Sequence, residues 1–279
     1  MTDIASLTAR PIAHRGLHDD NRTRWENTAS AFRAAIADGF GIELDVQLSA
    51  DSVAMVFHDA ELDRLTGATG PIADRCADEL RDLAVGGTED RIMTLVETLD
   101  LVDGTVPVII EMKDNGARNG DLARAVARDV AGYRGPVAIM SFEHALLDAF
   151  RAMETGVPLG LTASGISNAA LAEHRPQLEA GIDFVSYQVA ALPNAFVAEV
   201  RARGLPVITW TVLVVKALEL WGASATAQKG IRRIQRAGSL DAAVAASGNQ
   251  MLGSFVHRAN DMPIASDRMV LWGDRDIVR

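Results

Sequence analysis

The chain has 279 residues, of which 48% are hydrophobic and 23% are charged, and its formal net charge is −10 at pH 7. This length and composition favour one globular domain with a large core, and a barrel of about 250 residues would account for it. Because the chain has no Lys- and Arg-rich run, we expect neither a nucleic-acid partner nor stable membrane association. An anionic substrate would need a metal ion or local positive charge within its site.

Cellular location and covalent cross-linking are also bounded by the sequence. Cys76 is the only cysteine, which excludes an intrachain disulfide. The N-terminal stretch lacks the basic segment followed by an apolar segment that is typical of a secretory signal. No window approaches the ~18 apolar residues of a membrane-spanning helix. We therefore expect a cytoplasmic protein, and the sequence leaves its oligomeric state open.

The first predicted elements are a short strand and a helix. Residues 11–13 predict a strand that ends in a turn at His14-Arg15-Gly16. A polar loop follows, and Asn27 is predicted to cap a helix over 28–38.

The stretch 41–59 is central to the predicted site. Its first apolar run carries Glu43 and Asp45 two positions apart, so both carboxylates point to the same face of a strand. A short polar link and a second apolar run follow, which predicts a hairpin that turns near residues 50–51 and brings His58 beside Glu43. Two unpaired carboxylates in an apolar strand cost roughly several kcal/mol unless they are paired or bind a metal. We therefore interpret this stretch as half of a metal-dependent active site.

Helical and strand patterns alternate along the following part of the chain. The predicted helices lie at 78–83, 95–102, 121–131, 143–153, 168–180 and 194–203. The predicted strands lie at 105–113, 136–142, 158–163, 182–188 and 206–212. This alternation favours an α/β fold, a TIM-type (β/α)8 barrel with an atypical C-terminal tail. An open doubly wound sheet is the alternative, but the sequence lacks its glycine-rich phosphate fingerprint after the first strand.

The strand count leaves one barrel position to the tail. If the second run of the hairpin is an appendage, only seven barrel strands are present by residue 212. Residues 249–256 are the first candidate for the eighth strand, and 268–272 are the second. We expect a barrel over 1–256 and a C-terminal tail of unclear role over 257–279. A shifted reading frame late in the gene is one hypothesis for this ending, and resequencing the locus would test it.

Seven short stretches, in order along residues 11–212, resemble the glycerophosphodiester phosphodiesterase family, within the wider group of phospholipase-C-like phosphodiesterase barrels. The stretches are IAHRG (12–16), ENTASAF (26–32), ELDVQLS (43–49), FHDAELDRLTG (57–67), EMK (111–113), MSFEHALL (140–147) and ITWTV (208–212). Each match alone is weak, whereas the ordered set includes two histidines and three acids. After residue 212 the resemblance fades, and the acidic closing motif of the family is missing.

The resemblance implies a fold, a reaction and a set of site residues. It implies a TIM-type barrel that uses a divalent cation, Mg²⁺ or Ca²⁺, to hydrolyse glycerophosphodiesters to sn-glycerol 3-phosphate and an alcohol. The implied roles are Glu43, Asp45 and Glu111 as cation ligands, His14 and His58 as the catalytic acid/base pair, and Arg15 and Lys113 as phosphate contacts.

The chemistry of these residue types agrees with those roles. Carboxylate oxygens select Mg²⁺ or Ca²⁺ over softer ions, and two histidines supply one base and one acid near neutral pH. Arginine and lysine can hold the non-bridging phosphate oxygens. Trp210 belongs either to the core or to an apolar wall of the substrate pocket, and Phe142 is a weaker candidate for that wall. The nucleophile is either water or a hydroxyl of the substrate itself.

Simpler interpretations compete with each of these roles. Glu43 and Asp45 alone would fit a solvated pair on an outer face, and Glu111 alone would fit an ion pair with Lys113. One alternative function is a phospholipase-C- or lyase-type enzyme that acts on a lipid headgroup, which the mostly polar loops make less favourable. A catalytically impaired barrel, caused by the divergent C-terminus, is the other alternative.

Two further acids have more than one interpretation from sequence. Asp59 either orients His58 or starts the following turn. Glu26 either orders the loop near His14 or, as a weaker possibility, contacts the metal. The remaining histidines and the cysteine are interpreted as surface or structural groups: His18, His144, His174, His257 and Cys76.

Overall fold

The computed structural model describes residues 4–7, 12–210 and 269–271. The α-helices in these residues are α1 (Ile4–Leu7), α2 (Ala29–Ala37), α3 (Ala77–Arg81), α4 (Leu95–Val102), α5 (Asn119–Val130), α6 (His144–Arg151), α7 (Asn168–Glu179) and α8 (Ala195–Ala202). The strands are β1 (Ile12–Ala13), β2 (Gly41–Leu48), β3 (Ala54–Val56), β4 (Met93–Thr94), β5 (Val108–Met112), β6 (Val137–Ser141), β7 (Leu159–Ala163), β8 (Phe184–Gln188), β9 (Val207–Trp210) and β10 (Met269–Leu271).

Eight of these strands are parallel and neighbour one another in chain order. β1 pairs with β2, β2 pairs with β5, and the order continues through β6, β7, β8 and β9 to β10. Helices connect most consecutive strands, as expected for parallel pairs. The α/β class and the parallel sheet predicted from the alternating pattern are therefore confirmed.

The sheet curls so that its inner face encloses an apolar cluster. Ile12 on β1, Ile109 on β5, Phe184 on β8 and Ile208 on β9 belong to this one cluster, together with Leu7 of α1. Strands far apart in the pairing order thus meet across the interior, which is the arrangement of a TIM-type barrel. Alternate residues of the same strands face outward and pack beneath the helices in a second, larger cluster.

The predicted hairpin is confirmed. β2 pairs antiparallel with β3, with Val46 opposite Val56, so the turn falls near residues 50–51. β4 extends this ribbon by pairing antiparallel with β3. The loops around it bury a small core of their own that includes Phe57, Leu62 and Leu80. The hairpin is therefore an appendage on the carboxyl-terminal half of β2, and the eight parallel strands do not include β3.

The predicted start of the first long helix is wrong by one residue. Thr28 is the N-cap of α2, with extended backbone at φ −121° and ψ 160°, and its side chain accepts a hydrogen bond from the Ala31 N–H. Asn27 has a φ of 54°, which is incompatible with the extended backbone of an N-cap. Its side chain is used elsewhere, at the site described below.

The second candidate for the eighth strand agrees with the structure. β10 lies within 268–272 and pairs in parallel with β9, with Val270 opposite Ile208. The first candidate, 249–256, lies outside the described residues. The three residues of β10, which follow the expected domain boundary at residue 256, thus join the sheet. The domain boundary itself stays a prediction. In the described part of the chain, no helix has the length and apolar character needed to cross a bilayer.

Candidate active site

Three buried carboxylates meet inside the barrel. The parallel pairing of β2 with β5 places Asp45 opposite Glu111, and Glu43 lies two residues earlier on the same face of β2. Each of the three offers a carboxylate oxygen that lies within 4.8 Å of the other two. Their exposed fractions are 0% for Glu43, 1% for Asp45 and 5% for Glu111. The interpretation of Glu43 and Asp45 as a solvated pair is therefore wrong.

The donor set fits a hard divalent cation. Glu43 accepts a hydrogen bond from the Arg15 N–H through Oε2 at 2.9 Å, whereas its buried Oε1 has no hydrogen-bond partner among the described residues. A buried carboxylate oxygen without a partner is costly, and a bound cation would satisfy it. All donors are carboxylate oxygens, which suit Mg²⁺ or Ca²⁺ rather than softer metals.

The pKa values of the three carboxyl groups are shifted in different directions. Burial, together with the charge of Asp45, raises the pKa of Glu43 to about 8. Burial also raises the pKa of Glu111, although Lys113 opposes this shift. Burial alone would raise the pKa of Asp45, but the charges of Lys113 and Arg15 hold it well below its usual range. A cation placed among these groups would favour ionised Glu43 and Glu111, so its binding would release protons.

The His14-Arg15-Gly16 turn is fixed against β2 and α2. Arg15 and Gly16 both have positive φ, of 54° and 78°, and the Gly16 N–H donates to the Glu43 carbonyl at 3.2 Å. A Cβ on Gly16 would lie 2.9 Å from the Cβ of Ala31 on α2, so only glycine fits there. The turn places His14 close enough to influence the pKa of all three carboxyl groups.

His58 lies at the end of the hairpin, with its Nδ1 2.6 Å from Oδ1 of Asp59. Hydrogen bonds from Arg64 lower the pKa of Asp59 to about 2, so this carboxylate is ionised at neutral pH and can only accept. The His58 Nδ1 must therefore donate, and Nε2 is the nitrogen left for proton transfer. Burial lowers the pKa of His58 despite the charge of Asp45. The hairpin was predicted to bring His58 beside Glu43; of the three clustered carboxylates, Asp45 raises the pKa of His58, and the hydrogen bond to Asp59 raises it further.

Two positively charged side chains, those of Lys113 and Arg15, lie beside the carboxylates. The Lys113 Nζ donates to Oδ1 of Asp45 at 2.9 Å and also contacts Glu111. The Arg15 Nε lies 3.3 Å from Oδ2 of Asp45. Burial alone would lower the pKa of Lys113, but Asp45 and Glu111 raise it well above its usual range. The side chains of Arg15 and Lys113 are therefore both positively charged, and they face the same carboxylates that would hold a metal ion.

An aromatic pair lies at the carboxyl ends of β6 and β9. The rings of Phe142 and Trp210 form an edge-to-face contact with centroids 5.4 Å apart. The indole N–H of Trp210 donates to the Ser186 carbonyl at 3.3 Å. Phe142 is 40% exposed, although a large apolar side chain is usually more buried. The pair can present an apolar surface at the open end of the barrel, where TIM-type barrels carry their sites.

Two site contacts were not predicted from the sequence. The Nδ2 of Asn27 donates to Oδ2 of Asp45 at 2.9 Å. The Asp45 backbone N–H donates to Oδ1 of Asn27 at 3.3 Å. Arg64 bonds both Asp59 and Glu26. Both residues lie in stretches that match the family, which was the available signal. Asn27 was interpreted only as a helix cap, and Arg64 received no role.

The alternatives for two acids are decided by their contacts. Asp59 contacts the His58 ring, as the orienting interpretation requires. Glu26 bonds Arg15, Asn21 and Arg64, so it orders the loop and lies outside the metal-ligand group. Of the groups predicted to be structural, His174 is buried under β7 and β8, and His257 lies outside the described residues. His174 bonds the Ser164 carbonyl beneath Tyr187 and Phe196.

A model of the glycerophosphoryl diester phosphodiesterase family matches residues 14–231, which is more than half of the chain and begins at His14. The chain belongs to this family. The resemblance predicted from the seven stretches is confirmed by this match.

Individual members of the family show the same relationship. A glycerophosphodiester phosphodiesterase from Caldanaerobacter subterraneus is 34% identical over 54% of this chain, and the aligned region spans 65% of that enzyme, slightly less than two thirds. The solved structure of the Thermotoga maritima glycerophosphodiester phosphodiesterase is 26% identical, has a TM-score of 0.56 and covers 80% of this chain and 89% of its own. An Oleispira antarctica phosphodiesterase, solved with its product sn-glycerol-3-phosphate, is 23% identical with a TM-score of 0.68, covering 78% of this chain and 91% of its own. These glycerophosphodiesterase structures have the TIM-type barrel fold, so the predicted architecture is confirmed.

Proposed function

We propose that this member of the glycerophosphodiesterase family hydrolyses glycerophosphodiesters to sn-glycerol 3-phosphate and an alcohol, in a reaction that depends on a divalent cation. The observation that carries the proposal is the meeting of three buried carboxylates with two histidines and two cations at one end of the barrel. The relatives named above share this activity by name or bind this product.

Glu43, Asp45 and Glu111 would hold the cation, Mg²⁺ or Ca²⁺. The unpartnered Oε1 of Glu43 and the all-oxygen donor set support this assignment. When bound, the cation would polarise a phosphoryl oxygen and stabilise charge that develops in the transition state. Asn27 would hold Asp45 in place through its two hydrogen bonds.

The site combines its carboxylates with two positive side chains, as an anionic substrate requires. Arg15 and Lys113 lie against Asp45, and a divalent cation held by the carboxylates would add further positive charge beside them. A phosphodiester carries one negative charge, which these groups would attract. Arg15 and Lys113 would contact the non-bridging oxygens, Arg15 with its planar fork and Lys113 as a point charge.

His14 and His58 would be the acid/base pair. The Nε2 of His58 is unprotonated in the neutral ring, because Nδ1 donates to Asp59. One imidazole would remove a proton from the nucleophile, and the other would protonate the leaving alkoxide. Each proton transfer contributes on the order of 10²–10⁴ in rate. The nucleophile is water or a glycerol hydroxyl of the substrate, and in the second case water opens a cyclic phosphate afterwards.

Phe142 and Trp210 would form an apolar wall for the carbon skeleton of the substrate. Their edge-to-face contact fixes both rings, and the exposure of Phe142 leaves one face free for a ligand. The choice of alcohol would depend on this wall and on the loops beside it. The native ion and the cytoplasmic location stay predictions.

The test measures release of sn-glycerol 3-phosphate from glycerophosphocholine, first with EDTA and then with added Mg²⁺ or Ca²⁺. We expect no release in EDTA and restored release with one of the ions. His58→Gln should lower the rate by about 10²–10⁴-fold, whereas His144→Gln on α6 should not change it. Equal rates for both variants would contradict the acid/base role of His58. If folded protein releases no product with any ion, the proposal is wrong for this substrate, and a lipid headgroup becomes the next one to test.

A further inference from the structure

We infer that Arg64 is a positioning residue that holds His58 and Arg15 in fixed relation to each other. The inference rests on the proposed function, because it concerns the same site. Arg64 follows the hairpin, and its side chain bonds Asp59 and Glu26. Its position is decided by two carboxylates from separate loops.

The guanidinium of Arg64 binds two carboxylates at once. Its Nε donates to Oδ2 of Asp59 at 2.6 Å, and its Nη2 donates to Oδ1 of Asp59 at 2.8 Å. Toward the other loop, Nη1 donates to Oε2 of Glu26 at 3.0 Å and Nη2 donates to Oε1 at 2.8 Å. Only a planar fork with several donors can form two bidentate pairs in this way.

Each of these carboxylates holds one group of the proposed reaction. Asp59 accepts from the Nδ1 of His58 at 2.6 Å. Glu26 accepts from the Nη1 of Arg15 at 2.8 Å, and Arg15 in turn lies 3.3 Å from Asp45. Arg64 therefore connects the acid/base side of the site to its phosphate side through two carboxylates.

The two arms depend on Arg64 to different degrees. Glu26 also has two hydrogen bonds with Asn21. The Asn21 Nδ2 donates to Oε2 of Glu26 at 2.6 Å, and the Glu26 backbone N–H donates to Oδ1 of Asn21 at 2.7 Å. In the described residues, the side chain of Asp59 is bonded only by His58 and Arg64. Loss of Arg64 would therefore free Asp59 and the His58 ring, while Glu26 and Arg15 would keep most of their contacts.

Arg64 contributes more to geometry than to global stability. Its side chain is 45% exposed, and ion pairs of partly exposed side chains add little to the free energy of unfolding. A rotation of the His58 ring, by contrast, would displace the nitrogen that transfers the proton. Misplacement of a reacting group by about 1 Å can cost about 10²-fold in rate.

The experiment compares Arg64→Ala, Arg64→Lys and a matched control in the metal-loaded enzyme. We expect Arg64→Ala to lower kcat by about 10–100-fold, with a smaller change in KM. Arg64→Lys should recover only part of this loss, because one ammonium cannot form two bidentate pairs. The control is Arg81→Ala on α3: Arg81 is 46% exposed and also binds a carboxylate, that of Glu97. It should retain the kcat of the parent enzyme.

A second measurement does not depend on turnover. The ¹⁵N signals of the His58 ring report its tautomer, and we expect an Nδ1-protonated ring that becomes a mixture of tautomers in Arg64→Ala. An unchanged kcat in folded Arg64→Ala would overturn the inference, as would an unchanged tautomer. If the parent enzyme releases no sn-glycerol 3-phosphate, the proposed function fails separately, and the tautomer alone decides the role of Arg64.

Discussion

The barrel interior has a polar side and an apolar side, although the outward-facing residues of the strands on both sides are similar in character. On β2 and β5 the inward residues include Glu43, Asp45 and Glu111, whereas on β8 and β9 they include Phe184 and Ile208. The outward residues of these strands are mostly apolar and pack beneath the helices. The fold is therefore maintained by the outer layer and the apolar side, and the polar side is free to carry chemistry.

The unfavourable burial of charge is concentrated on the polar side. Burial and the charge of Asp45 raise the pKa of Glu43 to about 8, whereas the described residues of the inner apolar cluster carry no charge. A functional substitution on the polar side should change activity with little loss of stability. A substitution on the apolar side should do the reverse.

The largest effect expected is that of Glu111→Gln on activity. Loss of a metal ligand should lower kcat/KM by at least about 10³-fold, or about 4 kcal/mol. The amide has nearly the shape of the carboxylate, so the protein should remain folded. Steady-state rates at saturating Mg²⁺ or Ca²⁺ measure the loss, and Glu179→Gln on the surface of α7 serves as the control. Full activity of Glu111→Gln would contradict the assigned ligand set.

On the apolar side, Phe184→Ala should lower the free energy of unfolding by about 3–5 kcal/mol. Phe184 is 0% exposed, and a Cβ on Gly160 would lie 2.3 Å from its ring, so the ring fills its space closely. Urea denaturation in EDTA measures the change. Phe142→Ala, at a 40% exposed position, should cost less than about 1 kcal/mol. Equal losses at both positions would mean that the inner cluster is not the stabilising one.

The smallest effect expected is a pH dependence of stability at Glu26, which lies in the loop between β1 and α2. Burial alone would raise the pKa of Glu26, but hydrogen bonds from Arg64 and the charge of Arg15 lower it to about 2. Because the folded pKa is below the unfolded value of 4.5, the stabilisation is complete above about pH 5. It is then lost as the pH falls toward 2. Relative to Glu26→Gln, the parent should be more stable by about 1–3 kcal/mol at pH 6.

This difference in unfolding free energy should vanish near pH 2, as measured by denaturant titration at several pH values. A difference that stays constant from pH 6 to pH 2 would show that the ionised carboxylate is not its source. Phe184→Ala is a suitable comparison, because its loss of stability should not depend on pH in this range.

Most elements could be predicted from the sequence because apolar periodicity is a local property. The strands β5 to β9 and the helices between them lie within the predicted ranges, apart from a few terminal residues. The hairpin followed from a link too short for a helix. The N-cap of α2 was misplaced because Asn and Thr are both good caps, and only the backbone angles at Asn27 distinguish them.

Contacts between distant loops could not be predicted. Glu26 and Arg64 are 38 residues apart, and no spacing rule relates two surface loops. The segment that forms β10 and pairs with β9 was one of two candidates for the eighth strand. Any short apolar run in the tail could fill that position as far as its sequence shows. Tertiary packing chooses among such runs.

The shared face of Glu43 and Asp45 could be predicted from the sequence, because side chains alternate along a strand. The family could also be predicted, because seven ordered stretches carry the site residues. The resemblance implied Glu111 as the third ligand, but its contact with the other two acids depends on the tertiary structure, because β2 pairs with β5 and not with a strand of the intervening hairpin ribbon on that edge. The position of Arg64 between Asp59 and Glu26 likewise depends on the tertiary structure, because Glu26 is 38 residues away in the chain.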